Sequence, residues 1–343
     1  MKILILGLGS IGSYLTFITK RIIKKNKNKE IYLDLLTYNK RENNIYLLNI
    51  FDKIRKIDEI KIELNYDLKN EIFDIVIITC KSYDLTKYID LLVSRDIKFK
   101  NLVLTQNGVE HEEEIILYLK ERWGIHFENI YPLTVLVALK LKYNNLYIYN
   151  YEKSELVISS YNIGKFSNEI LEFISLLNSI TNINLYYGNY NDVKYSKLLL
   201  NLIMNAIPAY YNKDIKETYK NLKAVIDEKN LIIEFSKIIE KFNLKLYNFK
   251  YYNTKLIVFL YKILPSFIIY YIYNQNYIIS KIRNNRIPSL IEDYVINPKT
   301  QTEIEYYLGN IIKKTQKINL DLDQFPTILK IYEKLKSKEL QKR

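Results

Sequence analysis

Residues 2–12 read KILILGLGSIG, and this stretch decides the fold. Residues 2–6 form a short apolar run that predicts a β-strand, and residues 13–23 have the pattern of a helix. Between them lie three glycines at the spacing Gly-x-Gly-x-x-Gly. The first permits a tight turn, the second lets a pyrophosphate approach the backbone, and the third lets the helix pack closely on the strand. The helix N-terminus would present its amides to the phosphates, so the loop predicts a dinucleotide site. Its residues are Gly7, Leu8, Gly9, Ser10, Ile11 and Gly12.

The end of the second predicted strand, residues 30–37, bears on the choice of dinucleotide. An enzyme that uses NAD usually carries an Asp or Glu there, which binds the 2′-hydroxyl of the adenosine ribose. Here the residues are Tyr38, Asn39, Lys40 and Arg41, with two cations and no acid. This favours the 2′-phosphate of NADP, held by Lys40 or Arg41. The alternative is an ordinary polar loop in a lysine-rich chain.

Strands and helices continue to alternate through the first half of the chain. Strands are predicted at residues 60–65, 73–79 and 101–105, and helices at 86–94 and 112–121. This alternation predicts a parallel sheet, in which ligands bind beyond the carboxyl ends of the strands. Lys81 and Asn107 each follow one of these strands, so we expect both near the dinucleotide. A solvated loop lysine and a plain Asn-Gly turn are the alternatives.

The second half of the chain changes character. Residues 130–159 are rich in β-formers and predict a hairpin appended to the sheet, and a helix at 165–177 and a strand at 184–187 follow. Beyond residue 187 the pattern is helical. The predicted fold is therefore an α/β Rossmann-type dinucleotide-binding domain, residues 1–187, followed by an all-α helical domain, residues 188–343.

Residues 193–209 form the most informative helix. Three polar residues, Lys197, Asn201 and Asn205, stand among residues that are nearly all apolar, as in a buried helix. Their four-residue spacing places them on one face. An ammonium and two amides are costly to bury without partners, and desolvation would lower the pKa of the lysine towards that of a useful general acid. The alternative is structural hydrogen bonding between helices.

Composition excludes several other classes of function. Only eight of the 51 basic residues are Arg, and the Lys residues are scattered, so the net charge of +13 reflects a low-G+C genome and we expect no nucleic-acid partner. The single cysteine, Cys80, cannot form an internal disulfide, and with no leader-like N-terminus the chain is expected to be cytoplasmic. His111 and His126 lack the spacing of a metal site, so no metal is expected.

These motifs together resemble the ketopantoate reductase family, the 2-dehydropantoate 2-reductases. GLGSIGSYL at residues 7–15 looks like that family's cofactor fingerprint, Lys81 falls at its strand-end lysine, and QNG at 106–108 matches its turn. The helix matches the family's Lys-x3-Asn-x3-Asn pattern. PSL at 288–290 and TEIEY at 302–306 resemble its Ser and Glu motif. The match follows the chain in order over nearly its whole length.

The resemblance implies an NADPH-dependent oxidoreductase that reduces a 2-oxo acid, most directly 2-dehydropantoate to pantoate in pantothenate biosynthesis. Lys197 would protonate the carbonyl oxygen, and Glu303 would contact the cofactor ribose and that lysine. The residues Asn107, Asn201, Asn205 and Ser289 would orient the substrate. The alternatives are another oxo acid or an imine as substrate, and a non-catalytic NADP-binding module. Ser289 and Thr302 each also have the spacing of a helix-capping box with Glu292 and Glu305.

Residues 256–273 are strongly apolar and rich in tyrosine. Lys262 and Pro265 interrupt the run, which is too short for a membrane span. We expect two helices broken at Pro265 that face the core or a second copy of the chain. A homodimer through the C-terminal helices is therefore possible, and membrane association is disfavoured.

Overall fold

The computed structural model describes residues 1–149, 151–275, 289–296 and 301–341. The chain divides into two compact units. The first comprises Met1–Gln106 and His111–Tyr190, and the second comprises Asn107–Glu110 and Asn191–Arg343. The short segment 107–110 therefore belongs by its contacts to the second unit, although it follows a strand of the first.

A seven-stranded sheet forms the centre of the first unit. Its strand order is β11-β10-β7-β6-β5-β1-β2, and every neighbouring pair is parallel except β7 with β10. The chain runs from β1 outwards to β2 on one side and resumes with β5 on the other, so β1 lies where the strand order reverses. Ligands bind at this point in open α/β sheets. The strands are β1 Lys2–Leu6, β2 Tyr32–Leu36, β5 Ile72–Ile78, β6 Lys98–Leu104, β7 Ile130–Leu136, β10 Glu155–Ser159 and β11 Asn182–Tyr186.

Helices cover both faces of this sheet, which is why its strands read as continuous apolar runs. Ile3 and Ile5 of β1 pack with helices on one face, and Leu4 and Leu6 pack with helices on the other. The first face carries α1 Ser10–Lys25 and α4 Asn168–Asn178, and the second carries α2 Leu85–Ser94 and α3 His111–Trp123.

A second, four-stranded sheet was not predicted. Its order is β4-β3-β9-β8, formed by β3 Ile45–Asp52, β4 Arg55–Glu63, β8 Ala138–Lys142 and β9 Asn145–Tyr149. The strand predicted at residues 60–65 as part of the parallel sheet lies largely within β4, which is antiparallel to β3. The predicted hairpin is β8–β9, but it pairs with β3 instead of the main sheet. Local patterns mark strands, whereas pairing between strands so distant in sequence is set by tertiary packing.

The described part of the second unit is mostly helical, which confirms the predicted fold class: an α/β parallel-sheet domain followed by a helical one. One large apolar cluster forms its core. The helices are α5 Tyr190–Asn201, α6 Ile207–Tyr211, α7 Ile215–Tyr219, α8 Leu222–Lys241, α9 Thr254–Ile263, α10 Ser266–Asn274, α11 Ser289–Ile291, α12 Asn310–Lys317 and α13 Pro326–Leu340, with π-helical turns at Leu202–Ala206, Glu292–Ile296 and Glu305–Gly309.

The apolar segment 256–273 forms α9 and α10, with the break at Leu264 and Pro265. Several large side chains of these two helices are exposed: Leu256, Phe259, Ile263, Phe267 and Tyr271. Within the described ranges, no helix combines the length and the apolar character needed to cross a membrane.

Candidate functional site

The glycine loop lies between β1 and α1. Gly7 has φ +91°, a backbone conformation that favours glycine, and a Cβ on Gly12 would lie 2.0 Å from the carbonyl oxygen of Gly7. The hydroxyl of Thr79, just after β5, donates to that carbonyl at 2.6 Å and closes the loop against the neighbouring strand. The first and third glycines are therefore required by the packing of the loop itself.

Gly9 differs from these two. A Cβ there would meet no protein atom within 4 Å, so the space above it is open. Gly9 caps α1 in an extended conformation, no side chain caps the helix, and its first turn contains no acid. The first amides of a helix have no acceptor within the helix, so this N-terminus is suited to an anion. The loop fits a pyrophosphate on the open side of Gly9.

Arg41 reaches the glycine loop from the end of β2. Its guanidinium donates to the carbonyl oxygen of Leu8 at 3.1 Å and to the hydroxyl of Tyr46 at 2.9 Å. The neighbouring Lys40 is exposed and lies near the ring of Tyr66. Of the two predicted 2′-phosphate ligands, Arg41 thus contacts the loop, and Lys40 is exposed at the adjacent position in the chain.

Lys81 follows β5 and begins a 3-10 turn at Ser82–Asp84, partly buried. It stands three residues beyond a strand that pairs with β1, at the same edge of the sheet as the glycine loop. Gln106, at the end of β6, donates to the carbonyl oxygens of Ile78 and Cys80 at 3.0 and 3.2 Å. These bonds fix the backbone that leads to Lys81.

Asn107 opens a turn that packs within the second unit. Gly108 has φ +99°, and a Cβ there would lie 2.5 Å from the carbonyl oxygen of Tyr306. The amide of Val109 donates to that same carbonyl at 3.1 Å, and the side chain of Asn310 donates to the Val109 carbonyl at 3.0 Å. Asn107 is thereby held against the π turn Glu305–Gly309, so the Asn-Gly pair here is more than a surface turn.

Lys197, Asn201 and Asn205 share one helical face, as predicted, but the helix that carries them is not regular. It is α-helical to Asn201 and then forms the π turn Leu202–Ala206. Four residues advance slightly more than one turn of an α-helix and less than one turn of a π-helix, so the π turn offsets the drift of the stripe. Such turns often occur at functional sites.

Lys197 makes no hydrogen bond or ion pair within the described part of the chain. Its side chain is partly buried, and burial lowers its pKa from 10.5 to about 8. The contact with Glu303 that the resemblance implies is therefore not formed. The result is an ammonium that gives up its proton near neutral pH, as a general acid requires.

The two asparagines and Ser289 form a hydrogen-bonded chain. The Asn205 amide nitrogen donates to Oδ1 of Asn201 at 3.4 Å, and Oδ1 of Asn205 accepts from the amide of Ser289 at 3.1 Å and from its hydroxyl at 3.3 Å. Asn201 is buried, and its Nδ2 has no partner among the described residues. A buried donor without an acceptor is uncommon in native proteins, and this one is free to donate a hydrogen bond to an oxygen of a ligand.

Glu303 is buried just before the π turn Glu305–Gly309. Four residues on, Tyr307 is fully buried, and its pKa is raised well above the usual value by burial and then by the negative charges of Glu303 and Asp293. Sequence reasoning missed Tyr307. The only available signal was its four-residue spacing from Glu303, which does not distinguish it from the other tyrosines.

The structure shows the hydrogen-bond partners of the two motifs for which a capping box was the alternative. Ser289 bonds to Asn205, as a site residue would. Thr302 donates its hydroxyl to Glu339 at 2.5 Å and accepts from the amide of Ile304, and Glu305 pairs with Lys313 at 2.6 Å. The reciprocal Thr302–Glu305 capping box is therefore incomplete: the Thr302 hydroxyl accepts from the local amide of Ile304, whereas the Thr302 amide donates to Glu339 and Glu305 pairs with Lys313.

A metal site is not present in the described residues: they contain no group of three or more His, Cys, Asp and Glu that could hold an ion. The glycine loop, Arg41 and Lys81 lie in the first unit, and Lys197, Asn201 and Asn205 lie in the second.

Comparisons with known proteins agree with this division. A family model described as ketopantoate reductase PanE/ApbA matches residues 3–127, and the model for the C-terminal part of the same family matches residues 189–339. No curated protein matches the sequence.

Several solved structures share the whole fold. A dimeric ketopantoate reductase from Staphylococcus aureus is 18% identical, with a TM-score of 0.70 and all of both chains covered. A D-mandelate dehydrogenase solved with NADH and anilino(oxo)acetate is 18% identical, with a TM-score of 0.74 and 99% of both chains covered. The 2-dehydropantoate 2-reductase of Geobacter metallireducens GS-15 is 12% identical, with a TM-score of 0.72, covering 98% of this chain and 99% of that one. At these identities the likeness is one of fold.

Proposed function

Because the chain belongs to the ketopantoate reductase family, we propose that it reduces a 2-oxo acid to a 2-hydroxy acid with NADPH, and that 2-dehydropantoate is the first substrate to test. One observation carries the proposal. Lys197 has a pKa of about 8 and, among the described residues, no ionic partner; it lies on the same helical face as Asn201, whose buried Nδ2 finds no acceptor in that part of the chain. We place the reaction in the cytoplasm, in pantothenate biosynthesis.

Residues 1–187 are assigned to the cofactor. The helix N-terminus at Gly9 would hold the pyrophosphate, and the tight fit at Gly12 leaves the loop little freedom to move away. Arg41, with Lys40 beside it, would bind the 2′-phosphate, since a guanidinium binds phosphate with two parallel hydrogen bonds. Lys81 would face the dinucleotide from the end of β5. When bound, NADPH supplies the hydride.

The residues that follow β2 favour NADPH over NADH. Residues 37–41, which follow the strand, contain no acid to bind a ribose hydroxyl, and Arg41 already reaches the glycine loop at Leu8. One structural neighbour was solved with NADH, so both cofactors belong in any assay.

Residues 188–343 are assigned to the substrate and to the proton. The Lys197 ammonium would donate its proton to the carbonyl oxygen as the hydride adds to the carbonyl carbon, leaving a neutral amine that is reprotonated from solvent. Its lowered pKa makes this transfer favourable near neutral pH. Glu303 is retained as a candidate for the cofactor ribose.

The amide groups would orient the substrate. Nδ2 of Asn201 would donate to a substrate oxygen, and Asn205 with Ser289 would form a preorganised pair beside it. Asn107, held by the Gly108 turn, would contact substrate or cofactor. Holding the reacting groups in a fixed geometry supplies much of the rate enhancement of such a catalyst.

A second candidate substrate is an aromatic 2-oxo acid. The neighbour D-mandelate dehydrogenase shares the fold along both chains and was solved with anilino(oxo)acetate, which carries an aromatic group. Fold and motif do not fix the side chain of the substrate. The 2-oxo acid group is common to both candidates and is what Lys197 and Asn201 would recognise.

The test is NADPH oxidation by the purified protein with a panel of oxo acids. The panel contains 2-dehydropantoate, an aromatic 2-oxo acid, a short aliphatic 2-oxo acid and a cyclic imine, each with NADPH and with NADH. We expect turnover on at least one 2-oxo acid and a higher kcat/KM with NADPH. Cofactor binding without turnover on any panel member would favour the non-catalytic module, and turnover on the imine alone would favour an imine reductase.

A further inference from the structure

The π turn Leu202–Ala206 has a partner outside its own helix. The hydroxyl of Tyr219, at the end of α7, donates to the carbonyl oxygen of Ile203 at 3.0 Å, and both residues are buried. Because the carbonyls of a π turn are displaced from the α-helical ladder, they can accept from side chains. A single phenol thus contacts the irregular part of the site helix.

Asn205 lies in that turn, two residues after Ile203. Its side chain links Asn201 to Ser289, so small changes in the turn would shift the whole hydrogen-bonded chain. If the turn returned to regular α-helix, Asn205 would drift by roughly 80° around the helix axis from Lys197, to the edge of the shared face. The geometry of the turn therefore determines where Asn205 points.

Tyr219 is itself held in place by a buried carboxyl group. Glu228 of α8 is fully buried and accepts from the hydroxyls of Tyr261 and Tyr273, the second at 2.9 Å. It also lies against the hydroxyl of Tyr219, whose single hydrogen is shared between this carboxyl group and the Ile203 carbonyl. We call these four side chains the tyrosine–glutamate cluster. They come from four helices, α7, α8, α9 and α10, and the rings of Tyr219 and Tyr273 lie 4.8 Å apart.

The cluster is unusual for a structural core. A carboxyl group is costly to bury, and apolar residues would fill the same volume at lower cost. An apolar side chain in place of Glu228, however, could not fix the direction of the Tyr219 hydroxyl. Orientation of that hydroxyl towards the Ile203 carbonyl is the property that distinguishes the cluster from ordinary packing.

We propose that Tyr219 is a positioning residue for Asn205: its hydroxyl holds the π turn Leu202–Ala206, and Glu228 fixes that hydroxyl. The role in catalysis rests on the proposed function, whereas the role in holding the turn does not. The cluster also connects the site helix to α9 and α10, through Tyr261 and Tyr273.

Two matched variants test the proposal. Tyr219→Phe removes the hydroxyl that contacts Ile203. Tyr273→Phe removes a different hydroxyl, which donates to Glu228 but does not contact the turn. We expect Tyr219→Phe to lower kcat/KM for the 2-oxo acid about tenfold, a change that corresponds to the net free energy of one hydrogen bond. The Kd for NADPH should be unchanged. Tyr273→Phe should change kcat/KM less than about twofold.

A double-mutant cycle shows whether Tyr219 acts through Asn205. In an Asn205→Ala background, Tyr219→Phe should cause little further loss of kcat/KM, because the side chain that it positions is already absent. Equal losses in both backgrounds would overturn the proposal, and so would equal losses from Tyr219→Phe and Tyr273→Phe, since both results indicate general destabilisation.

Hydrogen–deuterium exchange provides a readout that does not need activity. The amides of residues 202–206 should exchange faster in Tyr219→Phe than in the wild type or in Tyr273→Phe. A wild type that reduces no 2-oxo acid would overturn the proposed function alone, and the exchange comparison would still decide whether Tyr219 holds the turn. Unchanged exchange in Tyr219→Phe would overturn the inference.

Discussion

The buried ammonium of Lys197 lowers the stability of the fold, and the same burial gives it a pKa suited to proton transfer. Its ammonium is removed from water by burial, and no carboxylate in the described chain compensates it. The same desolvation that makes the charged form costly brings its pKa to about 8, where proton transfer is useful. A residue retained for folding alone would have a partner or would be apolar.

Replacing this lysine should separate the two effects. In Lys197→Met we expect the reduction rate to fall by at least about a hundredfold, because the general acid is lost, and the melting temperature to rise, because a desolvated charge is removed. A lowered lysine pKa disfavours the charged form in the folded state, so the gain in stability should be greatest below pH 8 and shrink as the pH rises towards 10.5.

Thermal unfolding and NADPH oxidation on the same preparation measure both effects. Lys213→Met, at an exposed position just after α6, is the matched control and should change neither. A Lys197→Met variant that loses stability together with activity would assign the lysine a structural role.

The glycine loop allows a similar comparison at neighbouring positions. Gly12→Ala would place a methyl group 2.0 Å from the Gly7 carbonyl, and we expect it to lower the free energy of unfolding by about 1–3 kcal/mol or more. Gly9→Ala meets open space, so its stability should change by less than about 0.5 kcal/mol. Because that space is assigned to the pyrophosphate, Gly9→Ala should nevertheless weaken NADPH binding. Urea denaturation and fluorescence titration measure the two effects, and unimpaired NADPH binding by Gly9→Ala would place the pyrophosphate elsewhere.

At the scale of elements, the strands that were predicted with nearly correct bounds are those that form a continuous apolar run in the local sequence. The run KILIL predicted β1 with its observed bounds, and strands within one residue of β5 were expected from FDIVIIT. β3 was missed because its residues, IYLLNIFD, are apolar on both faces: Leu48 and Ile50 are buried, but Ile45 and Leu47 on the other face are exposed, so the sequence lacks the polar–apolar alternation of a half-buried strand. The π turn at Leu202–Ala206 could not be predicted, since a 3.6-residue periodicity presupposes a regular helix.

Helix ends show the same limit. Sequence spacing offered a capping box at Thr302 as an alternative, and there the Thr302 hydroxyl accepts from the nearby amide of Ile304. The start of α13, in contrast, is capped by another helix. Both carboxylate oxygens of Glu234, on α8, accept from the first amides of α13: from Thr327 at 3.1 Å and from Ile328 at 2.9 Å. Such a cap joins residues about ninety positions apart and leaves no local signal.

This inter-helix cap gives a test of stability that is separate from catalysis. Glu234→Ala leaves two buried amides without acceptors, so we expect a loss of about 2–3 kcal/mol in the free energy of unfolding. Glu240→Ala removes an exposed carboxylate from the same helix and should cost less than about 0.5 kcal/mol. Chemical denaturation compares the two. Equal effects would show that the Glu234 bonds do not hold α13.

At the scale of the whole molecule, the two units separate the predicted cofactor residues from the predicted catalytic helix, with Asn107 as an exception. Sequence reasoning placed Gly7–Gly12, Arg41 and Lys81 in the first unit and Lys197 and Asn205 in the second, and each lies there. It did not foresee that Asn107 would pack with the second unit, because the Asn-Gly turn follows a strand of the first. Of the 51 cations, only Lys40, Arg41, Lys81 and Lys197 carry a proposed role.

The exposed apolar side chains of α9 and α10 belong to this scale as well. The sequence predicts that these helices face the core or a second copy of the chain, and we propose a homodimer interface because their large apolar side chains remain exposed. Phe267 is 64% exposed, an unusual position for a large apolar side chain. Phe267→Asp should therefore produce a monomer in analytical ultracentrifugation. Leu117→Asp, at a 53% exposed leucine of α3, is the control and should leave the assembly unchanged. A wild type that sediments as a monomer would contradict this interface.

The central claim is that the Lys197 proton drives reduction of an oxo acid, and the pH dependence of kcat/KM tests it most directly. Reduction requires the ammonium form, so with the best 2-oxo acid kcat/KM should be level at lower pH and fall tenfold per pH unit above about pH 8. In Lys197→Arg, whose guanidinium stays protonated, the residual rate should show no such fall. A wild-type profile that stays flat through pH 8–10, or a fall that persists in Lys197→Arg, would contradict the account.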